Sequence, residues 1–445
     1  MSDSKAGLEP GGLKPSGLKQ RVTLIDLVML GAGTAIGAAI FSVLGPAAQV
    51  GGAGILVAAG LAALPMVLFA LVYAYMASAV PRTAASYEWQ RQFSHPVIAF
   101  SIVWLRVLSN AVVMIVLGRV LMNYLGMVLP LPAVPVILGL FTLIFALNYL
   151  GVAVAARAQT VLMIMLLGLF AVLVVSGAPA MKPHLFVEAV TGGWHPILLA
   201  LPLMIQLFLG IETATEVGEE VKNAKVVVPW GIALGLLLTV VVYVAVSFTA
   251  LSVVGPAALG SAKAPLLLVA QATLGRWATP LIVTAAVAAL IKSMNAIFLV
   301  YARFLYAMGA TGVLPAPLGR IHPRFGTPHV ATVVAFLASC TGLFLPDSLL
   351  FLLLSINVPT MMKYFGSCLA AYNVADRHPE VRAQARLRFS PGLVKALSAL
   401  GMLAALVIAA LGFGTDWRPY ALLAVWLALG LAYYFHTRRQ RLAAV

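Results

Sequence analysis

Apolar runs recur along the whole chain, at roughly 22–50, 51–79, 96–126, 133–150, 158–177, 196–217, 227–254, 277–308, 328–346, 348–373, 391–413 and 417–436. A membrane-spanning helix needs about 20 predominantly apolar residues, so these runs predict twelve transmembrane helices. None follows the residue-by-residue alternation of a membrane β-barrel strand. Two runs are interrupted. The first holds GAGTAIGAAIF within 24–50, and the sixth reads PILLALPLMIQLFLGIETATEVGEEVKNAKVVVP over 196–229. Small residues break each near its middle, and the sixth carries the carboxylate of Glu212 at the break. In lipid, non-helical backbone survives only where it is buried in protein or lines a cavity. Broken helices at corresponding positions in two halves of a chain point to a transporter binding site.

The expected fold is therefore an all-α integral membrane protein with spans one and six broken. Spans one to five cover 22–177, and spans six to ten cover 196–373. Five is odd, so the second set enters from the opposite side, as an inverted repeat requires. Two C-terminal spans over 391–436 fall outside that five-plus-five arrangement. Residues 1–21 read as a disordered cytoplasmic tail with no cleavable signal, and 437–445 as a second cytoplasmic tail. The connection 80–95 is expected on the cytoplasmic face. The connection 255–276 is expected outside with a short surface helix, and 309–327 is a Gly/Pro-punctuated loop after span eight.

Composition agrees: 62% of the 445 residues are hydrophobic and 9% charged, and the mean hydropathy is +1.04. No soluble domain has that balance. The net charge of +15 invites a nucleic-acid reading, but its distribution argues against one. With both termini cytoplasmic, 18 of the 28 Lys and Arg fall inside, from Lys5, Lys14, Lys19 and Arg21 to Arg438, Arg439 and Arg441. Lys182, Lys263, Arg276 and Arg418 fall outside. This is the positive-inside bias, and it sets the orientation. The basic balance then serves topology and anionic headgroups. Cys340 and Cys368 lie within spans, so no disulfide framework is expected. No metal-ligating cluster, phosphate loop or nucleophile elbow marks an enzyme, and no cofactor is expected.

Four stretches then resemble the amino acid–polyamine–organocation (APC) permeases. In span one it is Gly37-Ala38-Ala39-Ile40-Phe41. After span two it is Pro81-Arg82-Thr83-Ala84-Ala85-Ser86-Tyr87. In span six it is Leu209-Gly210-Ile211-Glu212, followed by Gly218-Glu219-Glu220-Val221-Lys222-Asn223-Ala224-Lys225 and Pro229. After span eight it is Arg303-Phe304-Leu305-Tyr306-Ala307-Met308 with His322-Pro323-Arg324-Phe325-Gly326-Thr327-Pro328. Together these cover most of 22–390, and the span-six tail is the most specific. The resemblance implies a LeuT-like fold and secondary-active transport of amino acids or related amines, and the short termini fit a bacterial inner-membrane protein.

Half-helix ends suit a zwitterion: unpaired N–H groups and a positive dipole face a carboxylate, and unwound carbonyls face an ammonium. On the family pattern, amides near Gly37, Ala38 and Ala39 take the carboxylate. Carbonyls near Ala35, Gln206 and Leu209, beside Gly210, take the ammonium. The chain departs from the pattern at Ala38 and Ala39, which replace a small hydroxyl residue and a glycine. Gln206 stands where relatives often place an aromatic gate; it either closes by hydrogen bonding, reads a polar side chain, or bonds to a neighbouring helix. Intramembrane ionisable groups are functional candidates by default. Glu212 reads as a proton-linked switch or a structural carboxylate. Lys292 in span eight either supplies a cation to the span-one region, pairs with Glu212, or snorkels to an interface. Arg106, Asn110 and Met114 share one helix face at i, i+4 and i+8. The resemblance puts Asn110 and Met114 near the substrate side chain, while Arg106 suits a cytoplasmic gate with Asp26. Span ten adds Lys363, Ser355 and Asn357 as secondary candidates. Glu219 and Glu220 are expected to fix the end of span six by salt bridges.

The leading expectation is a proton-coupled amino acid permease. The second is an amine or polyamine carrier, or an exchanger of an amino acid for its decarboxylated product, and the third is a transporter-like membrane receptor. Expected partners are a small-molecule amino acid or amine, protons and the lipid bilayer. The sequence leaves open sodium coupling, flux direction and oligomeric state.

Overall fold

The computed structural model describes residues 23–81, 85–150, 155–182, 184, 193–210, 212–216 and 221–443. Helix dominates because an apolar surrounding offers backbone groups no partner outside their own segment. In chain order the helices are α1 (Leu24–Ala35), α2 (Ala38–Gly51), α3 (Ile55–Ala79), α4 (Ala85–Phe93), α5 (Pro96–Leu125), α6 (Ala133–Leu150), α7 (Ala155–Gly177), α8 (Trp194–Met204) and α9 (Thr213–Glu216). There follow α10 (Ala224–Val254), α11 (Pro256–Ser261), α12 (Pro265–Leu274), α13 (Ala278–Ala310), α14 (His329–Thr341), α15 (Leu349–Arg377), α16 (Pro379–Ala383), α17 (Pro391–Leu411) and α18 (Arg418–Ala443). Among the described residues, eight stretches are long and apolar enough to cross a membrane. Ala133–Tyr149, Trp194–Phe208 and His329–Phe344 are shorter apolar helices.

Both expected breaks are present. The first separates α1 from α2 at Ile36–Gly37. The second follows a 3₁₀ turn over Ile205–Phe208 and ends where α9 begins at Thr213. At the second, Gly210 has φ +113°, a conformation L side chains rarely adopt. Around the breaks, α10 packs along α3 and α1, and α15 packs between α5 and α17.

One connection differs from the sequence expectation. Residues 255–276 hold two helices, not one surface helix. Leu266, Val269 and Ala270 of α12 are buried, the Leu266 amide donates to the Tyr124 hydroxyl at 3.3 Å, and Gly260 of α11 comes so close to Gln49 that a methyl there would sit 3.0 Å from its backbone. The connection is part of the packed core at one end of α2. The 80–95 connection folds into α4, with Trp89 and Gln90 buried against α15. Each segment is too short for periodicity to reveal its buried face. α18 runs unbroken to Ala443, so residues expected as a tail from 437 extend the last helix. The expected tail 1–21, loop positions 82–84 and the Glu219–Glu220 salt bridges lie outside the described residues.

The last helix is clasped to α5. Trp104 Nε1 donates to the Trp426 carbonyl and Trp426 Nε1 to the Trp104 carbonyl, each at 2.8 Å, and the indoles stack 4.7 Å apart. Gly430 lies under this pair, where an added methyl would sit 2.3 Å from the Trp104 ring. The ring is held by its own bonds and cannot give way cheaply. Gly430→Ala is therefore expected to destabilise the folded protein by about 1–3 kcal/mol, read as a lower thermal midpoint in detergent; an unchanged midpoint would show the clasp to be loose.

Candidate functional site

At the first break, α1 ends with its last carbonyls free and α2 begins with its first amides free, as every helix terminus must. A tyrosine from α10 fills the gap. The Tyr243 hydroxyl donates to the Ala35 carbonyl and accepts from the Gly37 amide at 3.3 Å. One oxygen thus bonds both halves of the broken helix. α13 closes the other side: Lys292 Nζ donates to the Gly33 carbonyl at 3.0 Å, and the Ser293 hydroxyl lies 3.3 Å from where a Gly37 side chain would begin. Ala38 is buried and Ala39 half-buried. Their amides open the first turn of α2, where the helix dipole favours an anion.

At the second break, Glu212 lies buried at the turn made by Gly210. Its carboxylate accepts from the Gly210 amide at 2.9 Å, from the Tyr364 hydroxyl at 2.8 Å and from Lys363 Nζ in a buried ion pair. The Glu212 carbonyl accepts from the Thr215 hydroxyl and amide. Tyr364 is stacked on Phe69 at 4.4 Å between ring centroids and meets Tyr73 edge-on. The Tyr73 hydroxyl bonds Ser86 of α4 and Ser367 of α15, and Gln90 of α4 donates to the Lys363 carbonyl at 2.9 Å. The cavity beside Glu212, lined by Met66, Phe69, Ala70, Tyr73, Ile232 and Tyr364, measures about 10 Å³, room for a single water at most.

Several sequence pairings are corrected here. Glu212 does not meet Lys292: each break has its own lysine, Lys363 at the second and Lys292 at the first. Lys292 does not snorkel, because its amine turns inward to Gly33. Arg106 does not bridge to Asp26. Arg106 donates to Thr360 of α15 at 3.1 Å, while Asp26 caps α1, accepting from the Thr23 amide at 2.9 Å. Gln206 donates to the Leu353 carbonyl at 2.9 Å, the neighbouring-helix bond that sequence left as one of its readings. Asn110 and Met114 are buried on α5, and Leu209 is half-buried before the turn.

Sequence reading missed Tyr243 and Tyr364 and ranked Lys363 too low. The phenol of Tyr243 in VVVYVAVSF or a lone ammonium in span ten calls for a polar partner when buried. That was the available signal.

The comparisons agree with this architecture. Residues 22–429 match the family described as amino acid permease. The chain is 28% identical over 441 residues to the branched-chain amino acid permease BcaP of Bacillus subtilis, covering 94% of this chain and 93% of that one. It is 25% identical over 460 residues to the methylthioribose transporter of Bacillus subtilis, covering 96% of each. Against the BcaP of Lactococcus lactis it is 25% identical over 445 residues, 94% of each. These relatives are permeases and transporters, not enzymes.

Proposed function

The chain belongs to the amino acid permease family, and from that premise we propose that it is a secondary-active carrier of a zwitterionic amino acid, coupled to protons and working by alternating access. The observation that carries the reading is the pair of helix breaks, one presenting helix-start amides and the other a bent backbone with a buried carboxylate. The amides of Gly37, Ala38 and Ala39 face the substrate carboxylate. The carbonyls of Ala35, Gln206 and Leu209, beside Gly210, face its ammonium. Asn110 and Met114 line the side-chain end. Tyr243 holds the break together and yields to cargo. Lys292 of α13 is a cation tethered to α1, and Glu212 with Lys363 and Tyr364 forms the cytoplasmic gate, released when a proton neutralises the carboxylate. Arg106 and Thr360 extend that gate.

Twelve spans with a five-plus-five inverted repeat (22–177 and 196–373, with 391–436 outside it) belong to the same proposal. Eight long stretches and three shorter apolar helices support it, and Leu24–Ala79, at 56 residues, is long enough for two crossings. The positive-inside bias supports a bacterial inner membrane with both termini cytoplasmic.

Thermal stabilisation of the purified protein tests the cargo class. A ligand that binds only the folded state adds roughly 2.7 kcal/mol at a hundredfold excess over its dissociation constant. Neutral L-amino acids are expected to raise the midpoint at about pH 5.5 and pH 7.5, and the same compounds to enter proteoliposomes under an inward proton gradient. A shift with polyamines and small amines alone would hand the site to an amine carrier.

A further inference from the structure

We propose that Asn357, with Ser109 at its level, reads a neutral polar group on the cargo's side chain, a carboxamide or hydroxyl able both to donate and to accept. The inference rests on the transport reading above and names the class of amino acid.

It starts from α15. Leu353, Asn357, Thr360 and Tyr364 fall at i, i+4, i+7 and i+11, along one helix face. Three levels of that face are bridged to other elements: the Leu353 carbonyl to Gln206, Thr360 to Arg106, and Tyr364 to Glu212. Asn357 sits between the first and second of these. It is wholly buried, and neither its amide nitrogen nor its oxygen has a partner among the described residues.

α5 runs antiparallel to α15, since Arg106 meets Thr360 while Arg119 meets the carbonyls of Leu345 and Pro346. Three residues beyond Arg106 and three before Thr360, Ser109 and Asn357 reach the same level. The Ser109 hydroxyl is also buried and has no partner among the described residues. A carboxamide offers two donors and an acceptor, and a hydroxyl one of each. Buried polar groups are nearly always bonded, and each exception needs an explanation.

The neighbouring bridges place the level of Asn357 beside the proposed cargo site. Gln206 belongs to the second break, and Arg106 shares its α5 face with Asn110 and Met114. A side-chain amide or hydroxyl between the breaks satisfies Asn357; an aliphatic side chain leaves it unbonded. Sites built to bond a polar group reject analogues lacking it far more strongly than apolar pockets reject a missing methylene. Arg106, one turn away, disfavours a cationic side chain.

The test compares initial uptake of radiolabelled L-glutamine, L-threonine and L-leucine into proteoliposomes by the wild-type protein and Asn357→Leu. Wild type is expected to favour glutamine or threonine over leucine. Asn357→Leu is expected to lower that ratio at least tenfold while leucine uptake persists. A ratio unchanged in Asn357→Leu would mean that the carboxamide holds an ordered water only, and would overturn the inference. So would a wild type that carries leucine but neither polar amino acid. Wild-type protein that carries none of the three would overturn the transport reading itself. If Asn357→Leu does not fold, Asn357→Ala gives the same ratio: a tenfold fall supports the inference and an unchanged value overturns it.

Discussion

Glu212→Gln is expected to destabilise the folded protein by about 3–5 kcal/mol, because it takes away the carboxylate to which the buried Lys363 ammonium is bonded. The neutral amide can still accept from Tyr364 and Gly210, so the loss falls on the charge pair and not on the turn. Lys363→Met is expected to cost a similar amount by stranding the carboxylate. The double variant Glu212→Gln/Lys363→Met is expected to recover most of it, since two neutral groups of similar size replace two buried charges. Contacting residues are where additivity fails, and a double-mutant cycle on thermal midpoints measures that failure. Equal, additive losses would show that the two charges do not depend on each other. The double variant also separates stability from coupling. If Glu212 is the proton-linked switch, the folded double variant takes up substrate with no pH dependence; a pH profile like the wild type's removes Glu212 from that role.

The second large effect is expected at Tyr243. Tyr243→Phe keeps the ring against Phe208 but deletes the oxygen that bonds Ala35 and Gly37. A buried amide and a buried carbonyl lose their partner, at about 1–3 kcal/mol each. Uptake is expected to fall at least tenfold, because the two half-helices then lose the atom that sets their spacing. Initial rates in proteoliposomes, with a thermal midpoint on the same preparation, check this. Wild-type rates with a lowered midpoint would confine Tyr243 to stability.

The long apolar helices were legible because bilayer thickness imposes a length on an apolar run, and that length is visible in one dimension. The breaks were legible for a related reason: Gly37, Gly210 and the small residues around them are poor continuations of a helix. What sequence did not reveal was which partners meet. Lys292 and Lys363 are each a lone ammonium in an apolar helix, and nothing local says that one turns to Gly33 and the other to Glu212. That depends on how α13 and α15 are rotated about their axes, which the packing of the whole bundle decides. Tyr243 went unnoticed for the same reason. It sits 206 residues from Gly37, and its hydroxyl matters only once α10 lies beside α1. Gln206 was open between closing over cargo and bonding a neighbour, and its bond to Leu353 depends on where α15 lies. Asp26 was assigned to a distant arginine when a capping box with Thr23, three residues away, accounts for it.

The paired indoles that join α5 to α18 bear on how the chain is made. Trp104 and Trp426 are 322 residues apart, so their contact carries one of the highest loop-closure entropies in the molecule. It cannot form until α18 has been made, and until then the matching face of α5 waits without its partner. Contacts of that kind belong to the final steps of assembly. Interactions absent from the folding transition state slow unfolding more than they speed folding. The clasp is therefore expected to act as a kinetic lock, contributing little to how quickly the helices find one another and much to how long the finished bundle lasts.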